Sequence, residues 1–242
     1  MTHGFLIPRP ERPVGRRATV GLSLAAAMPA PPMAAQPAKQ TPVPSGLSQE
    51  EQRAVFDLAT EDIFHDPAAP VLGNPQGDVT LAEFFDYRCP YCRMMAPRLV
   101  ELIGKDRGLR LVMKEYPVLS RESIIAAKVA LVAARHDVYA PFHAAMYALT
   151  GPFDQPKIMQ VAQSVGLPPA VARQEMDDPA VTSELRRNLA LGRVLGINGT
   201  PAFVIGSGIL PGAVSIADLE KVIAAQRRRQ AVDKNGNGSG TQ

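Results

Sequence analysis

The two cysteines of this 242-residue chain, Cys89 and Cys92, are separated only by Pro90 and Tyr91. Two cysteines at this spacing on the first turn of a helix reach disulfide distance with little backbone movement. The free N–H groups at the start of the helix would also stabilise a thiolate on the first sulfur. A disulfide that forms and breaks easily, beside a nucleophilic sulfur, performs thiol–disulfide exchange. We therefore expect Cys89 to be the more exposed, reactive sulfur and Cys92 the inner one.

Other uses of the cysteine pair have less support. A zinc site needs four ligands, but the sequence has no second CxxC and its four histidines show no ligand spacing. A permanent disulfide would close a very small loop and remove little entropy from the unfolded chain. Binding of Cu(I) by the two soft thiolates stays open as an alternative function, as does a scaffold without redox activity. Thiol–disulfide exchange itself requires neither a cofactor nor a metal, and we expect none.

The segments that flank the cysteine pair indicate how it is held. Residues 79–87 are rich in β-branched and aromatic side chains, which predicts a buried strand. Downstream of the pair, apolar side chains recur at helical spacing: Met94, Met95, Leu99, Leu102 and Ile103. Pro90 suits the first turn of this helix, where its missing N–H costs nothing. The pair is therefore predicted at a junction between a strand and a helix.

Residues 1–38 have the pattern of an export signal. The basic pair Arg16 and Arg17 precedes a short apolar run, residues 18–28, and then small residues. The twin-arginine and general secretion routes both stay open, and a retained membrane anchor is the alternative. The same 38 residues hold four arginines and one glutamate, a balance of +3 that equals the net charge of the whole chain. The remainder is neutral, so the pI of about 9.0 gives no support for nucleic-acid binding.

The order of predicted elements divides the chain further. A linker, residues 39–46, precedes an N-terminal helix within residues 47–66. A β-α-β segment then covers residues 67–119, an all-helical insertion covers residues 120–195, and a β-β-α segment covers residues 196–230. Residues 231–242 are polar and are predicted to be disordered. Two sheet-forming segments are therefore separated by about 75 residues of helices.

The predicted N-terminal helix has a capping signal and an apolar stripe. Ser48 and Glu51 have the spacing of a capping box. The stripe consists of Val55, Leu58, Ala59 and Ile63. Such a stripe usually packs on the core of its own domain, but a contact between copies of the chain stays open.

From about residue 66 to residue 226, the chain resembles the DsbA-like branch of the thioredoxin superfamily. Four segments carry the likeness, namely residues 71–75, 84–92, 114–117 and 196–204 (VLGNP, FFDYRCPYC, KEYP and GINGTPAFV). Within that branch it is most similar to the bacterial periplasmic group related to Com1 and the suppressor-of-copper-sensitivity proteins. The resemblance implies an α/β thioredoxin fold with an all-helical domain inserted between its β-α-β and β-β-α halves.

The resemblance also assigns roles to particular residues. It implies that Pro201 is cis and abuts the CxxC, and that the Thr200 backbone binds an extended substrate beside Pro90 and Tyr91. Glu83 matches the buried acid that moves protons to and from the inner thiol. Independently of any family, a carboxylate in an apolar strand should have a raised pKa.

Other charged residues near this strand receive weaker roles. Lys114 resembles the lysine that pairs with the buried acid. We expect Asp86 and Glu115 to be surface charges.

The function that the resemblance implies is formation, reduction or isomerisation of disulfides in exported proteins. The compartment would be the periplasm, the substrates exported proteins with thiols or disulfides, and the recycling partner a membrane redox protein. The dipeptide Pro90-Tyr91 lacks the histidine of the strongly oxidising DsbA enzymes, and Thr200 resembles the isomerase-type members. Both departures favour isomerisation or reduction over strong oxidation. A homo-oligomer through residues 48–64 would favour isomerisation further.

Overall fold

The computed structural model describes residues 48–236, with side chains through residue 233. Within that part of the chain, the strands are β1 (Val71–Gly73), β2 (Val79–Phe85), β3 (Leu109–Glu115), β4 (Ala202–Ile205) and β5 (Gly208–Pro211). The helices are α1 (Gln49–Phe64), α2 (Pro90–Lys105), α3 (Arg121–Arg135), α4 (Tyr139–Ala148), α5 (Gln155–Ser164), α6 (Pro169–Glu175), α7 (Pro179–Val194) and α8 (Ile216–Gly236). The predicted export segment 1–38 and linker 39–46 lie outside the described residues.

A five-stranded sheet in the described part has the order β1-β3-β2-β4-β5. β2 runs parallel to β3 and antiparallel to β4, while β1 and β5 pair antiparallel at the two edges. β2 and β3 are buried along almost their whole length, since helices cover both faces of the sheet. Their nearly continuous apolar sequences are what a strand covered on both sides requires. The CxxC follows directly from the central strand β2.

The two faces of the sheet have separate cores, because successive side chains of a strand point to opposite sides. The first face carries Leu81 and Phe85 and packs against α2, α8 and the helices that follow β3. The second face carries Ala82 and Phe84 and packs against α1 and the end of α7. Two buried charged side chains of the sheet can therefore contact each other only if they lie on the same face.

Five helices, α3 to α7, lie between the two sheet-forming segments, so the predicted fold class is confirmed. Helices α3 and α5 contribute Ala126, Ala130, Ile158 and Ala162 to the first core. These small and medium apolar residues allow the helices to pack closely. The last of the five helices, α7, contributes to both cores, with Val181 and Leu185 in the first and Leu191 in the second.

The N-terminal helix α1 begins as predicted. The Ser48 hydroxyl accepts from Glu51 N at 3.3 Å, and the Glu51 carboxylate accepts from Ser48 N at 2.7 Å. Ala59 and Ile63 are buried on the second face of the sheet, whereas Leu58 is 70% exposed. Part of the apolar stripe therefore packs on the chain's own core, which is what such a stripe usually does.

The structure differs from the sequence prediction at both ends of the fold. Strand β1 was missed, because three residues at a sheet edge are too short to show an alternating pattern. The prediction of a disordered tail is wrong for residues 231–236, where α8 continues to Gly236. Neither glycine nor proline interrupts those residues before Gly236, so the helix has no reason to end earlier. Residues 237–242 lie outside the described part. None of the helices within residues 48–236 is both long and apolar enough to cross a membrane.

Candidate functional site

Cys89 occupies the N-cap position of α2, at the carboxyl end of β2. Its N–H donates to the Asp86 carbonyl at 3.0 Å, and its sulfur accepts from Cys92 N at 3.5 Å. Both thiols are free. Cys89 is 4% exposed and Cys92 is fully buried, so the predicted order of accessibility holds by a small margin. An N-cap sulfur lies where helix N–H groups stabilise negative charge.

The loop that precedes β4 contacts the reactive sulfur. The Cys89 thiol donates to the carbonyl oxygen of Thr200 at 3.1 Å, and the Thr200–Pro201 peptide bond is cis. Tyr116 anchors the start of this loop, because its hydroxyl donates to the Ile197 carbonyl at 2.9 Å. Two segments 111 residues apart in sequence therefore meet at one sulfur atom.

Pro90 and Tyr91 lie on the solvent side of the same sulfur. Pro90 is exposed, and the Tyr91 side chain is 59% exposed. Pro201 is buried and Thr200 is half-buried. The structure thus brings together the four residues that the sequence predicts to bind substrate: Pro90, Tyr91, Thr200 and Pro201.

Glu83 lies in the centre of the sheet, in register with Met113 of β3 and Phe203 of β4. It is 2% exposed, and burial raises the pKa of its carboxyl to about 8. Burial also raises the pKa of Cys92, the Glu83 carboxyl adds to that rise, and hydrogen bonding from the Asp86 backbone opposes it. A carboxyl that keeps its proton near neutral pH therefore interacts with the inner thiol.

The predicted pairing of Lys114 with Glu83 is wrong. Lys114 lies opposite Phe84 in the register, one position along from the Glu83–Met113 pair, so its side chain points to the other face of the sheet. There its ammonium group contacts the carboxylate of Asp66 closely and that of Glu184 at 3.7 Å. Lys114 belongs to a buried ion cluster between β3 and α7.

Asp86 is not a surface charge, as the sequence reading expected, but is 1% exposed. Its carboxylate accepts hydrogen bonds from the backbone N–H groups of Arg88, Val118 and Leu119 and from the Ser123 hydroxyl. The sequence does not reveal these donors, because three of them lie more than 30 residues away and reach Asp86 only in the folded chain. The sequence signal for its burial was its position directly after Phe84-Phe85.

Glu115, also expected at the surface, is 1% exposed on the first face of the sheet. Its carboxyl accepts from the hydroxyls of Tyr139 at 3.1 Å and Tyr87 at 3.3 Å. Tyr87 also contacts Nδ1 of His143 at 3.1 Å. Burial raises the pKa of Glu115 well above its ordinary value and lowers the pKa of His143 to about 3. This polar cluster, which the sequence analysis missed, joins the insertion to the sheet.

The geometry matches that of several known proteins. A thioredoxin-like oxidoreductase from Silicibacter pomeroyi DSS-3 is 39% identical, with a TM-score of 0.68, and the match covers 69% of this chain and 97% of that one. The catalytic domain of Proteus mirabilis ScsC is 28% identical, with a TM-score of 0.65, over 72% of this chain and 97% of that one. These structures confirm the resemblance inferred from the sequence motifs.

Two kinds of curated relative match as well. The Na(+)/H(+) antiporter NhaA of Herminiimonas arsenicoxydans is 26% identical over 161 residues, which are 65% of this chain. The match covers 25% of that protein, so the chain spans about a quarter of the length of the antiporters it matches. The thiol:disulfide interchange protein DsbA of Bordetella parapertussis is 25% identical over 150 residues, covering 60% of this chain and 71% of that protein. The model of the DSBA-like thioredoxin domain family matches residues 80–224, and the chain belongs to that family.

Proposed function

We propose that the chain is a periplasmic thiol–disulfide oxidoreductase that forms, reduces or isomerises disulfides in exported proteins through Cys89 and Cys92. The observation that carries this proposal is the position of the Cys89 sulfur. It caps the start of α2 and lies 3.1 Å from the Thr200 carbonyl, with the free Cys92 thiol one helical turn away. The export pattern of residues 1–38 supports the compartment.

With the pair reduced, the reaction begins at Cys89. Its thiolate attacks one sulfur of a substrate disulfide, so that a Cys89–substrate bond forms and the substrate bond breaks. The electron pair leaves on the second substrate sulfur, which takes up a proton. The Cys92 thiolate then attacks Cys89, which forms the internal disulfide and releases the other substrate thiol. The substrate is reduced by two electrons and the cysteine pair is oxidised by two.

With the pair oxidised, the same steps run in reverse, and Glu83 supplies a proton. A substrate thiolate attacks the Cys89 sulfur, and Cys92 leaves as a thiolate in a buried site where its charge is unfavourable. Glu83, whose burial raises its pKa to about 8, holds a proton near neutral pH and donates it to Cys92. When Cys92 acts as nucleophile, ionised Glu83 takes the proton back.

The substrate binds along the loop that precedes β4. An extended segment pairs with the backbone of Thr200, while Pro201 and the exposed surfaces of Pro90 and Tyr91 contact its side chains. Because no histidine lies between the cysteines, the reduced pair lacks the imidazole that stabilises the thiolate of strong oxidases. The cysteine pair therefore acts in isomerisation or reduction. A membrane redox protein returns it to the reduced state from which these reactions start. Self-association through residues 48–64, where Leu58 is 70% exposed, would favour isomerisation.

The test is catalysis by the purified full chain. Reduction of insulin, refolding of scrambled ribonuclease and oxidation of a reduced peptide are measured in parallel, together with the glutathione equilibrium of the cysteine pair. We expect the first two activities to exceed the third. An inactive protein that binds Cu(I) tightly in its reduced form would instead support the copper-binding alternative.

A further inference from the structure

The carboxylate of Asp86 is held by donors from three parts of the chain. Its Oδ1 accepts from Arg88 N at 2.8 Å and from the Ser123 hydroxyl at 2.7 Å. Its Oδ2 accepts from Val118 N and Leu119 N, both at 2.9 Å. Arg88 belongs to the loop that carries Cys89, whereas the other donors lie in the β3–α3 connection and in α3. Hydrogen bonds to an ionised acceptor are stronger than neutral ones, and four of them leave a buried carboxylate little freedom.

The backbone of the same residue contacts the cysteine pair. The Asp86 carbonyl accepts from Cys89 N at 3.0 Å. Hydrogen bonding from the Asp86 backbone also stabilises the Cys92 thiolate, against the larger effect of burial. The hydroxyl of Tyr147, from α4, lies 3.5 Å from the Asp86 carbonyl. Any rotation of the Asp86 peptide groups would therefore move the surroundings of both sulfurs.

We propose that Asp86 is a positioning residue for the cysteine pair. Its carboxylate fixes the loop of residues 86–89 against the start of the helical insertion, and so holds Cys89 at the distance and orientation from which Cys92 reaches it. The inference deepens the proposed function, because it concerns the same two sulfurs. The positioning role requires no contact with substrate, since Asp86 contacts the cysteines through its backbone alone.

Positioning has a measurable consequence for the internal disulfide. When the two thiols react with oxidised glutathione, one disulfide forms in the protein, one breaks in glutathione and two glutathione thiols are released. The equilibrium constant of this reaction measures the effective concentration of Cys92 at Cys89, which depends on how well the pair is held. If the loop is loosened, the constant decreases and the disulfide becomes easier to reduce.

The experiment measures this equilibrium constant in the full chain at fixed pH. Asp86→Asn keeps the size of the side chain, but an amide nitrogen accepts no hydrogen bond. One of the two donor pairs, either Val118 N with Leu119 N or Arg88 N with the Ser123 hydroxyl, therefore loses its acceptor. We expect the constant to decrease about tenfold, which corresponds to about 30 mV. Removing the negative charge would also favour the reduced pair. Ser123→Ala therefore serves as the second variant, since it removes one donor and keeps the charge, and we expect a decrease of about two- to threefold.

A matched control is Asp78→Asn, which removes a carboxylate bonded to Arg227 that does not contact the CxxC loop. We expect its constant to equal that of the unmodified chain. A decrease in both Asp86→Asn and Ser123→Ala supports the positioning role. If the equilibrium constant is unchanged in Ser123→Ala, the positioning role of Asp86 is wrong. This conclusion holds whether the constant of Asp86→Asn changes through the lost charge alone or that variant fails to fold. A purely structural role would lower the unfolding temperature of the oxidised and reduced forms equally and leave the constant unchanged.

The outcome is independent of the catalytic test. Glutathione equilibrates with the pair without any protein substrate, so the constant can be measured even if the unmodified chain catalyses nothing. In that case the proposed function would fail while the role of Asp86 would still be decided by the two variants.

Discussion

Glu83 and Lys114 lie on neighbouring parallel strands but on opposite faces of the sheet. The register pairs Glu83 with Met113 and Lys114 with Phe84, so the two side chains point away from each other. Glu83 faces the core that contains Cys92, whereas Lys114 faces Asp66 and Glu184. The two buried ionisable residues therefore belong to separate clusters, and they should respond differently to substitution.

Glu83→Gln should change the pH dependence of stability in the reduced protein. Burial raises the pKa of Glu83 from 4.5 to about 8, so between these values the folded chain holds a proton that the unfolded chain has lost. Stability conferred by that proton is complete below pH 4.5 and is lost as the pH rises to about 8. The unmodified chain should thus lose on the order of 4 kcal/mol relative to the glutamine variant over this range. Urea unfolding at several pH values measures the difference, and parallel curves for both proteins would contradict it.

Lys114→Met should destabilise the fold without changing the cysteine chemistry. Lys114 is fully buried, and its loss leaves the carboxylates of Asp66 and Glu184 together without their ammonium partner. Removing one partner of a buried ion pair typically costs about 3–5 kcal/mol. Chemical denaturation checks the stability, and glutathione equilibration checks the cysteine pair. Arg187→Met is the control, because Arg187 is 39% exposed and its loss should cost about 1 kcal/mol or less.

Cys89→Ala and Cys92→Ala should differ in the complexes that they form with substrates. Without Cys92, the mixed disulfide on Cys89 has no internal nucleophile to release it and should accumulate. Without Cys89, the remaining sulfur is fully buried and should trap nothing. Non-reducing electrophoresis after incubation with scrambled ribonuclease distinguishes the two variants. Equal trapping by both would show that Cys92 also reaches substrates.

His143→Gln should make the fold more resistant to acid. Burial lowers the pKa of His143 from 6.5 to about 3, so the folded chain keeps the ring neutral where the unfolded chain protonates it. The stability that depends on the neutral ring is present above pH 6.5 and is lost as the pH falls towards 3. Burial raises the pKa of both Glu115 and Glu83 in the folded chain, so these carboxyls titrate in this region only after unfolding. Both proteins share that contribution, so the variant is compared with the unmodified chain at each pH. Thermal unfolding at pH 7 and pH 4 should show a smaller loss in the variant.

Local sequence patterns predicted most of the elements that form the site. The β-branched and aromatic run of residues 79–87 identified the central strand, and the spacing of Cys89 and Cys92 identified the start of a helix. The cis bond before Pro201 came from the family likeness alone, because no local pattern distinguishes it from an ordinary turn. The strand and the helix could be predicted because each depends on residues close together in the chain.

The buried charges were harder to predict, because burial depends on distant segments. Asp86 follows two phenylalanines, but its donors at Val118, Leu119 and Ser123 come together only in the folded chain. Lys114 could be placed on the correct strand, yet a shift of one residue in the register moves its side chain to the other face. Pairing between strands, rather than the pattern within one strand, decided these positions.

Arg93, the residue after Cys92, joins the reactive end of α2 to the helical insertion. Its guanidinium donates to the carbonyl oxygens of Tyr147 at 2.6 Å and Leu149 at 2.8 Å, where α4 ends. Since both acceptors are backbone atoms, these contacts depend on the side chain of Arg93 and not on the side chains of Tyr147 and Leu149. Substitutions on the surface of the insertion next to the sulfurs would therefore leave the link between α2 and the end of α4 in place.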